Sequence, residues 1–324
     1  MVAIDLTIDN LPAYLASCGV PGPWRITPLG GGVSNTVLLA EDAAHRWVVK
    51  QSLAKLRVEE DWFADRSRIH RECAAIAELG PLLPIGTLPI IAFEDRGNCV
   101  YAMEAAPPDC RDWKSLLLSG NVSEDVARRT GEILRAMIHA SRCSSRWESE
   151  FGDQTCFDQL RLDPYYRFTA SRHPDLAAHF HDRIEACSRD KSALVHGDFS
   201  PKNLLVAPDG QVTLIDFEVI HFGDPAFDAA FLLNHLLLKQ THRPQWADAY
   251  RRAALAFWSQ VSSTVCERST LMHLGCLHLA RVDGKSPGEY LTPEGRAQAR
   301  NRARRLILAP PTTIAEVFST HVEN

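Results

Sequence analysis

Features that define several classes of protein are missing from this 324-residue sequence. No apolar run approaches the length of a transmembrane helix, and the first residues lack the basic and apolar regions of a signal peptide. The nine cysteines are scattered, odd in number and without a Cys-x2-Cys pair, which indicates buried or free thiols rather than disulfides or zinc ligands. We therefore expect a cytoplasmic protein without a membrane-spanning segment.

An excess of basic charge is missing as well. The formal net charge is −5, so electrostatics gives no reason to expect nucleic acid or an anionic membrane as a partner. The hydrophobic share of 45% and the charged share of 23% are typical of a globular protein. A chain of this length can bury one large core or form two lobes.

The most informative stretch reads His-Gly-Asp-x4-Asn over residues 196–203, with Asp198 and Asn203 in the last two named positions. Two short apolar runs separated by Pro-Asp-Gly at 208–210 predict a β-hairpin, which returns Asp216 to the neighbourhood of Asp198 and Asn203. Carboxylate and carboxamide oxygens suit Mg²⁺ that is bound to phosphates. A further Asp beside that metal can take up an attacking hydroxyl, so the stretch predicts phosphoryl transfer.

Together with Ile-Asp-Phe-Glu at 215–218 and Gly-Asp-Pro-x2-Asp at 223–228, this stretch resembles the aminoglycoside phosphotransferase and choline kinase-like family. These small-molecule kinases have a protein-kinase-like fold. The sequence departs from the protein kinase pattern at Gly197 and Glu218, and both departures are usual in the small-molecule branch. The resemblance also implies that Asp228 braces the catalytic loop through hydrogen bonds.

The resemblance implies an α+β fold with two lobes. Residues 1–104 would form a nucleotide-binding lobe with a small antiparallel sheet and one helix. Residues 105–324 would form a larger, mainly helical lobe that carries the catalytic residues and binds the acceptor.

A glycine-rich turn at 30–32 separates two predicted strands in the first lobe. Such a turn can lay backbone N–H groups against phosphate oxygens, although most glycine-rich hairpin turns are only turns. It is not a Walker A loop, because no Gly-Lys-Ser/Thr follows and the next element is a strand. The resemblance implies that Gly31, Ser34 and Asn35 lie over the phosphates.

The strand predicted at 47–50 ends in Lys50. In kinase-like folds this lysine contacts the α- and β-phosphates and pairs with an acidic residue on the next helix. Apolar residues at helical spacing predict that helix at 69–79. Glu72 is the predicted partner, with Glu78 as the alternative.

Two further predicted strands lead to Met103 and Glu104, after which small residues and two prolines suit a connector between lobes. By resemblance this is the hinge, whose backbone would hydrogen-bond the edge of adenine.

The hypothesis is that the γ-phosphoryl group of ATP passes to a hydroxyl of a small molecule, with GTP left open. Asp198 would orient the hydroxyl, and Asp216 and Asn203 would hold Mg²⁺. Lys202 could meet the γ-phosphate or lie in solvent, and Glu218 could be a scaffold or a metal contact.

Two other functions are alternatives to a small-molecule kinase. A nucleotide-binding pseudokinase that regulates a partner is disfavoured by the intact set Lys50, Asp198, Asn203 and Asp216. A protein kinase is disfavoured because no Ala-Pro-Glu motif follows Asp216 and the segment to 228 is short. A monomer and a homodimer are both compatible with the resemblance.

The sequence leaves the acceptor open among aminoglycosides, choline-like amines, sugars, amino alcohols and homoserine. Its walls are expected from Tyr165, Tyr166 and Arg167 and from the polar loop at 281–290, because polar loop residues beside a site often serve recognition.

Overall fold

The computed structural model describes residues 4–30, 34–57, 63–142 and 144–319. The chain divides into two compact units, Met1–Pro108 and Asp109–Asn324. The sequence places this boundary after Glu104, ahead of the two prolines that close the first unit.

The first unit is built on a five-stranded antiparallel sheet in the order β1-β2-β3-β5-β4. Its strands are β1 Arg25–Pro28, β2 Asn35–Glu41, β3 Arg46–Ser52, β4 Ile91–Asp95 and β5 Val100–Glu104, and its helices are α1 Leu11–Ser17 and α2 Arg68–Leu79, the latter extended by a 3-10 turn at Gly80–Leu82.

Alternation along the strands gives this sheet two apolar faces. Leu38 and Ala40 of β2 pack on one face with Leu11 and Leu15 of α1. Leu39, between them in sequence, packs on the opposite face with residues of α2. The sheet therefore lies between the two helices, which is why α1 joins the predicted helix α2 in this unit.

The second unit is mainly helical, as predicted. Its helices are α3 Trp113–Leu118, α4 Glu124–Arg142, α5 Arg146–Phe151, α6 Thr155–Phe157, α7 Phe168–Arg172, α8 Ala177–Arg189, α9 Ala226–His242, α10 Ala247–Val261, α11 Glu267–Asp283, α12 Pro293–Leu308 and α13 Ile314–Val317, with a π-helical segment at Asp158–Arg167 and 3-10 turns at Pro174–Leu176, Pro201–Asn203 and Pro244–Trp246. Its short strands are β6 Arg111–Asp112, β7 Ala193–Val195, β8 Leu204–Val206, β9 Val212–Leu214 and β10 His221–Gly223.

Helix α9 forms the centre of this unit, because it is mostly apolar and is buried along nearly its whole length. The predicted hairpin is present as the antiparallel pair β8 and β9. A second antiparallel pair joins β7 to β10. The catalytic loop leaves β7 and enters β8, so both of its ends are fixed by strand pairing.

None of the helices in the described ranges combines the length and the hydropathy needed to cross a lipid bilayer.

Candidate active site

The loop at 196–203 is held by backbone hydrogen bonds to Asp228 at the start of α9. The N–H groups of His196 and Gly197 donate to the two carboxylate oxygens of Asp228, at 2.6 and 2.9 Å. Burial raises the pKa of Asp228 to about 7, although these two hydrogen bonds oppose the rise. The predicted bracing role of Asp228 is thereby confirmed.

Gly197 is required by the path of this loop. Its φ of 77° lies in the left-handed region, and a Cβ there would lie 2.9 Å from Cγ2 of Val219 and 3.0 Å from the Val219 carbonyl oxygen. A side chain at this position would therefore be both strained and crowded. This is the position where the protein kinase pattern has arginine.

His196 connects the loop to the returning hairpin. Its Nδ1 accepts a hydrogen bond from the Asp198 N–H at 3.2 Å, and its Nε2 lies 3.1 Å from the Ile215 carbonyl oxygen. Burial lowers the pKa of His196 to about 4, against the opposing charges of Asp198 and Asp216. A neutral ring that donates from Nε2 satisfies both contacts, so His196 holds backbone and is not a proton carrier at neutral pH.

The carboxylate of Asp198 is buried and paired with two cations through one oxygen. Arg161 Nη2 and Lys202 Nζ lie 3.0 and 2.9 Å from Oδ2. Burial by itself would raise the pKa of Asp198, but the charges of Arg161 and Lys202 outweigh it and hold the pKa below its usual range. Asp198 is therefore charged at neutral pH.

Arg161 is the main site residue that sequence reasoning missed. Besides pairing with Asp198, it donates from Nε to the Gly197 carbonyl at 2.7 Å and from Nη1 to the Leu160 carbonyl at 2.6 Å. Its guanidinium also lies 5.8 Å from the ring centroids of both Tyr165 and Phe231. Arg161 thus fixes the position of the catalytic loop and of its carboxylate together.

The π-helical segment explains why Arg161 can reach this position. Pro164 lies inside the segment and has no N–H for an ordinary helical hydrogen bond. A widened turn at such a proline is a common form of local helix distortion and is frequent at functional sites. No residue spacing in the sequence predicts this π-helical turn.

Asn203 and Asp216 are brought together by the hairpin, as predicted. Leu204 pairs with Leu214, and the Ile215 N–H donates to the Asn203 carbonyl at 3.0 Å. The Asn203 amide nitrogen donates to the Asp198 carbonyl at 2.9 Å, which leaves its Oδ1 as the atom able to bind a cation.

Asp216 adopts a backbone conformation that is unusual for a residue with a side chain. Its φ is 73°, and such outliers are concentrated at functional sites. Its charge acts on His196, Asp198 and Lys202. Within the described part of the chain, no three His, Cys, Asp or Glu side chains form a metal cage by themselves.

The two positions left open by the sequence, Lys202 and Glu218, also lie in this network. Lys202 is paired with Asp198 while its side chain remains 48% exposed. Glu218 is buried, and its charge acts on Arg161. Both the scaffold role and the metal-contact role of Glu218 are compatible with this position.

In the first unit, Lys50 and Glu72 form a buried ion pair. Lys50 Nζ lies 2.8 Å from each carboxylate oxygen of Glu72. Strand β3 supplies the lysine and α2 supplies the glutamate, so the predicted pairing with Glu72 rather than Glu78 is confirmed.

The residues after the glycine-rich turn are tied to the start of α2. Arg68 is fully buried and donates from Nη2 to the Ser34 carbonyl at 2.5 Å. Asn35 donates from Nδ2 to the Ser34 hydroxyl at 3.0 Å. Ser34 and Asn35 are therefore ordered at the entry to β2. Gly31, the third residue predicted here, lies outside the described residues.

Met103 and Glu104 close strand β5, where the adenine contact was expected. The Glu104 N–H donates to the Ile90 carbonyl at 2.8 Å, and the Ala105 N–H donates to the Arg46 carbonyl at 2.8 Å. An adenine contact from Glu104 would therefore use its carbonyl oxygen. Because prolines occupy 107 and 108, Ala106 is the next position that carries a backbone N–H.

The expected acceptor walls are only partly present. Tyr165 lies beside Arg161, and its hydroxyl is 3.5 Å from Arg281 Nη1. Tyr166 instead is fully buried against His273, with 2.7 Å between its hydroxyl and Nδ1, and Arg167 pairs with Asp158 at the surface. The prediction is wrong for Tyr166, because it has no exposed surface to offer an acceptor; for Arg167 it stays a prediction.

Comparison with known families identifies the class of protein. The model of the phosphotransferase enzyme family (APH) matches residues 25–263, well over half of the chain. The chain therefore belongs to this family of phosphotransferases. The match spans the Lys50–Glu72 pair, the catalytic loop and the hairpin.

Three individual proteins resemble this chain in sequence or in structure. A methylthioribose kinase of Escherichia coli O45:K1 (strain S88 / ExPEC) is 27% identical over 289 residues, which cover 78% of this chain and 69% of the kinase. The streptomycin–ATP–APH(2'')-IIa ternary complex has a TM-score of 0.55 at 14% identity, covering 94% of this chain and 99% of that one. A choline/ethanolamine kinase family protein from Mesorhizobium loti has a TM-score of 0.56 at 15% identity, covering 93% and 95%. These structures show that the predicted protein-kinase-like fold is correct.

Proposed function

We propose that this phosphotransferase transfers the γ-phosphoryl group of ATP to a hydroxyl of a small molecule, with Mg²⁺ as the metal. The observation that carries the proposal is the arrangement of Asp198. Its carboxylate is charged, held by two cations through Oδ2, and lies on the loop that carries Asn203. The ATP-bound APH(2'')-IIa complex and the methylthioribose kinase relative support ATP as donor; GTP is the alternative.

Asp198 would orient the acceptor hydroxyl through Oδ1 and receive its proton late in the reaction. A carboxylate with a lowered pKa is a weak base, but a loose phosphoryl-transfer transition state needs orientation more than basicity. Arg161 and Lys202 fix the carboxylate and so contribute positioning. The bond between the acceptor oxygen and γ-phosphorus forms as the bond to the ADP oxygen breaks.

The donor set of the hairpin fits Mg²⁺. This ion keeps several water or phosphate ligands and needs only one or two oxygens from the protein, which Asp216 and Asn203 Oδ1 would provide. The left-handed backbone at Asp216 is an energetic cost that a functional constraint explains. When held by Asp216 and Asn203, the metal would offset negative charge on the transferring phosphoryl group.

Residues of the first unit would bind the nucleotide. Lys50, held by Glu72, would contact the phosphates, and the backbone of the turn at Gly31, Ser34 and Asn35 would lie against them. Met103 and Glu104 would border the adenine. Each of these roles is proposed from the family resemblance together with the local geometry of this unit.

The remaining proposals concern the class of acceptor, the cellular location and the oligomeric state. The acceptor would be a small hydroxylated molecule rather than a protein or nucleic acid, because the relatives include a methylthioribose kinase and a choline/ethanolamine kinase family protein. We also propose a cytoplasmic location and a monomer or homodimer, on the sequence grounds given above.

The function is tested by measuring ADP formation from Mg·ATP over a library of hydroxylated compounds, with product mass recorded for each positive reaction. The expected result is acceptor-dependent ADP formation and a product heavier by one phosphoryl group. Nucleotide binding without phosphorylation of any small molecule would favour a nucleotide-binding pseudokinase. Phosphorylation of protein side chains alone would favour a protein kinase.

A further inference from the structure

Two buried cations, Lys239 and Arg281, lie in the second unit. Lys239 of α9 is fully buried. Within the described residues its ammonium makes one hydrogen bond, to the His235 carbonyl at 3.3 Å, and lies 5.4 Å from the ring centroid of Tyr290. A buried ammonium without a carboxylate partner is unfavourable, so this lysine needs an explanation.

Arg281 of α11 is a second buried cation of the same kind. It is 8% exposed, donates from Nη1 to the Ser286 hydroxyl at 2.7 Å, and lies 3.5 Å from the Tyr165 hydroxyl. Its Nε and the Tyr290 hydroxyl are buried without a hydrogen-bond partner among the described residues. Two cations and one hydroxyl are thus left with unused donors in one region.

The carboxylates nearby are already engaged. Glu289 and Asp112 are the two whose charges act favourably on Lys239. Glu289 is paired with Lys114. Asp112 caps α3, where it accepts from the Ser115 N–H at 2.8 Å and from its hydroxyl at 2.6 Å. Positive charge around Lys239 is therefore not balanced by the protein itself.

This cationic cluster, defined as Lys239, Arg281 and Lys114, is connected to the catalytic carboxylate. Arg281 contacts the Tyr165 hydroxyl, Tyr165 lies beside Arg161, and Arg161 pairs with Asp198 at 3.0 Å. The outer end of the cluster reaches solvent, because the Lys114 and Glu289 side chains are 33% and 62% exposed.

We infer that the phosphoryl acceptor is a hydroxylated anion, whose carboxylate or phosphate group is bound by Arg281, with the charge of the fully buried Lys239 acting on it through space, while Asp198 orients its hydroxyl. This inference rests on the proposed phosphotransferase function. The guanidinium of Arg281 can donate hydrogen bonds to such an anion, and the buried ammonium adds to the attraction without touching the ligand. The γ-phosphorus–oxygen bond to ADP breaks, a bond from γ-phosphorus to the acceptor hydroxyl oxygen forms, and that hydroxyl's proton passes to Asp198.

The cluster would also disfavour the opposite charge. A choline-like or aminoglycoside acceptor brings a cation, which Lys239 and Arg281 would repel. The inference therefore separates this chain from acceptor classes that the family resemblance alone leaves open.

The experiment compares acids with neutral counterparts of similar shape. D-gluconate is paired with D-glucitol, and glycerate with glycerol; glycerol 3-phosphate tests phosphate as the anionic group, and choline and ethanolamine test cations. Binding is measured by thermal shift and calorimetry without nucleotide or Mg²⁺, and turnover by ADP formation with both. At least one anion is expected to bind and to show a KM at least about 10-fold below that of its neutral counterpart. The gluconate and glycerol 3-phosphate arms then distinguish carboxylate from phosphate.

Lys239→Met is the diagnostic variant, because methionine keeps the linear shape without the charge. It is expected to raise the KM for the preferred anion by about 10-fold or more and to change the KM of the neutral counterpart by less than about 2-fold. Arg281→Lys keeps the positive charge but loses the planar guanidinium group. It is the second variant in case Lys239→Met does not fold, and it should also raise the KM for the preferred anion. Lys191→Met removes an exposed lysine as the matched control and should change neither.

The outcomes distinguish a failure of the proposed anion site from a failure of the proposed phosphotransferase function. Asp198-dependent phosphorylation of neutral or cationic compounds, without preference for acids, overturns this inference and leaves the phosphotransferase function standing. An anion KM unaffected by Lys239→Met also overturns it. Lys239-dependent anion binding without phosphorylation of any compound supports the anion site and contradicts the phosphotransferase function.

Discussion

Arg161 and Asp198 form a buried ion pair, with 3.0 Å between Nη2 and Oδ2, in which the arginine also bonds the backbone of the loop that carries the aspartate. Lys202 approaches the same oxygen. Both cations thus hold one oxygen of the Asp198 carboxylate, and the proposed mechanism uses the other oxygen to orient the acceptor hydroxyl.

Arg161→Met should lower kcat by about 10²-fold, because Asp198 loses the group that fixes its position. The KM for ATP should change by no more than a few-fold, since the hydrogen bonds of Arg161 run to the Gly197 and Leu160 carbonyls in the second unit. Arg161→Lys should recover part of kcat, as it restores a charge but not the bond to the Gly197 carbonyl.

Steady-state kinetics with a compound that the enzyme phosphorylates measure the effects on kcat and on the KM for ATP separately. Arg167→Met, which removes an exposed arginine on the same segment, is the matched control and should keep normal kcat. If Arg161→Met lowers only the apparent affinity for ATP, Arg161 is not a positioning residue for Asp198.

Asp228→Asn should weaken the catalytic loop. The carboxylate accepts from two N–H groups, whereas an amide offers one oxygen and places an NH₂ against the second donor. One buried donor is left unsatisfied, so the free energy of unfolding should fall by about 1–3 kcal/mol. Chemical denaturation measures it, and kcat should fall while ATP affinity stays within a few-fold. An unchanged denaturation midpoint would show that Asp228 does not brace the loop.

The structure shows which parts of this site local sequence patterns can predict. The hairpin that joins Asn203 to Asp216 and the Lys50–Glu72 pair depend on short spacing, strand alternation and a helical period, so both were predictable. Arg161 was not, because its position depends on a π-helical turn at Pro164 that no periodicity announces. The burial of Tyr166 against His273 was likewise not visible in the sequence.

Burial of charge was the other feature that the sequence did not reveal. A lysine in the last turn of a helix, such as Lys239, would ordinarily face solvent and complement the helix dipole. Its burial depends on how α9 packs at the centre of the second unit. Likewise, strand pairing alone determines that the Glu104 N–H bonds to Ile90 and is unavailable to adenine.

Glu72→Gln should weaken ATP binding by about 10-fold and lower stability by as much as about 3 kcal/mol, because Lys50 would be left as a buried charge without a charged partner. Calorimetric titration with Mg·ATP measures the affinity. Glu78→Gln, on the same helix, is the control and should leave the affinity unchanged. Equal effects of the two substitutions would contradict the specific role of Glu72.

Lys239→Met should raise stability in a pH-dependent way. Burial, with Lys114 and Arg281, lowers the pKa of Lys239 to about 7 from its ordinary value of 10.5, against the opposing charges of Glu289 and Asp112. Between about pH 7 and 10.5 the unfolded chain binds more protons at this residue than the folded chain, so wild-type stability from this group rises with pH across that window. His235, whose carbonyl Lys239 contacts, is itself kept neutral because burial and the neighbouring cations lower its pKa.

The stability gained by Lys239→Met should therefore be largest at or below pH 7, where it could reach a few kcal/mol, and should shrink toward pH 10. Urea denaturation in the absence of anions, at pH 6, 8 and 9.5, follows the difference. A destabilising effect that does not vary with pH would show that Lys239 carries no unfavourable buried charge.

Asp198→Asn tests the central claim most directly. Asparagine keeps the size and one oxygen but removes the charge that pairs with Arg161 and Lys202 and orients the hydroxyl. With a compound that the enzyme phosphorylates, kcat should fall by about 10²-fold or more, while the Kd for Mg·ATP changes by no more than a few-fold, as the groups proposed to bind the nucleotide are Lys50, Asp216 and the strand β5 backbone. Phosphorylation of that acceptor at the wild-type rate would contradict the account, and loss of ATP affinity together with activity would place Asp198 in the metal site instead.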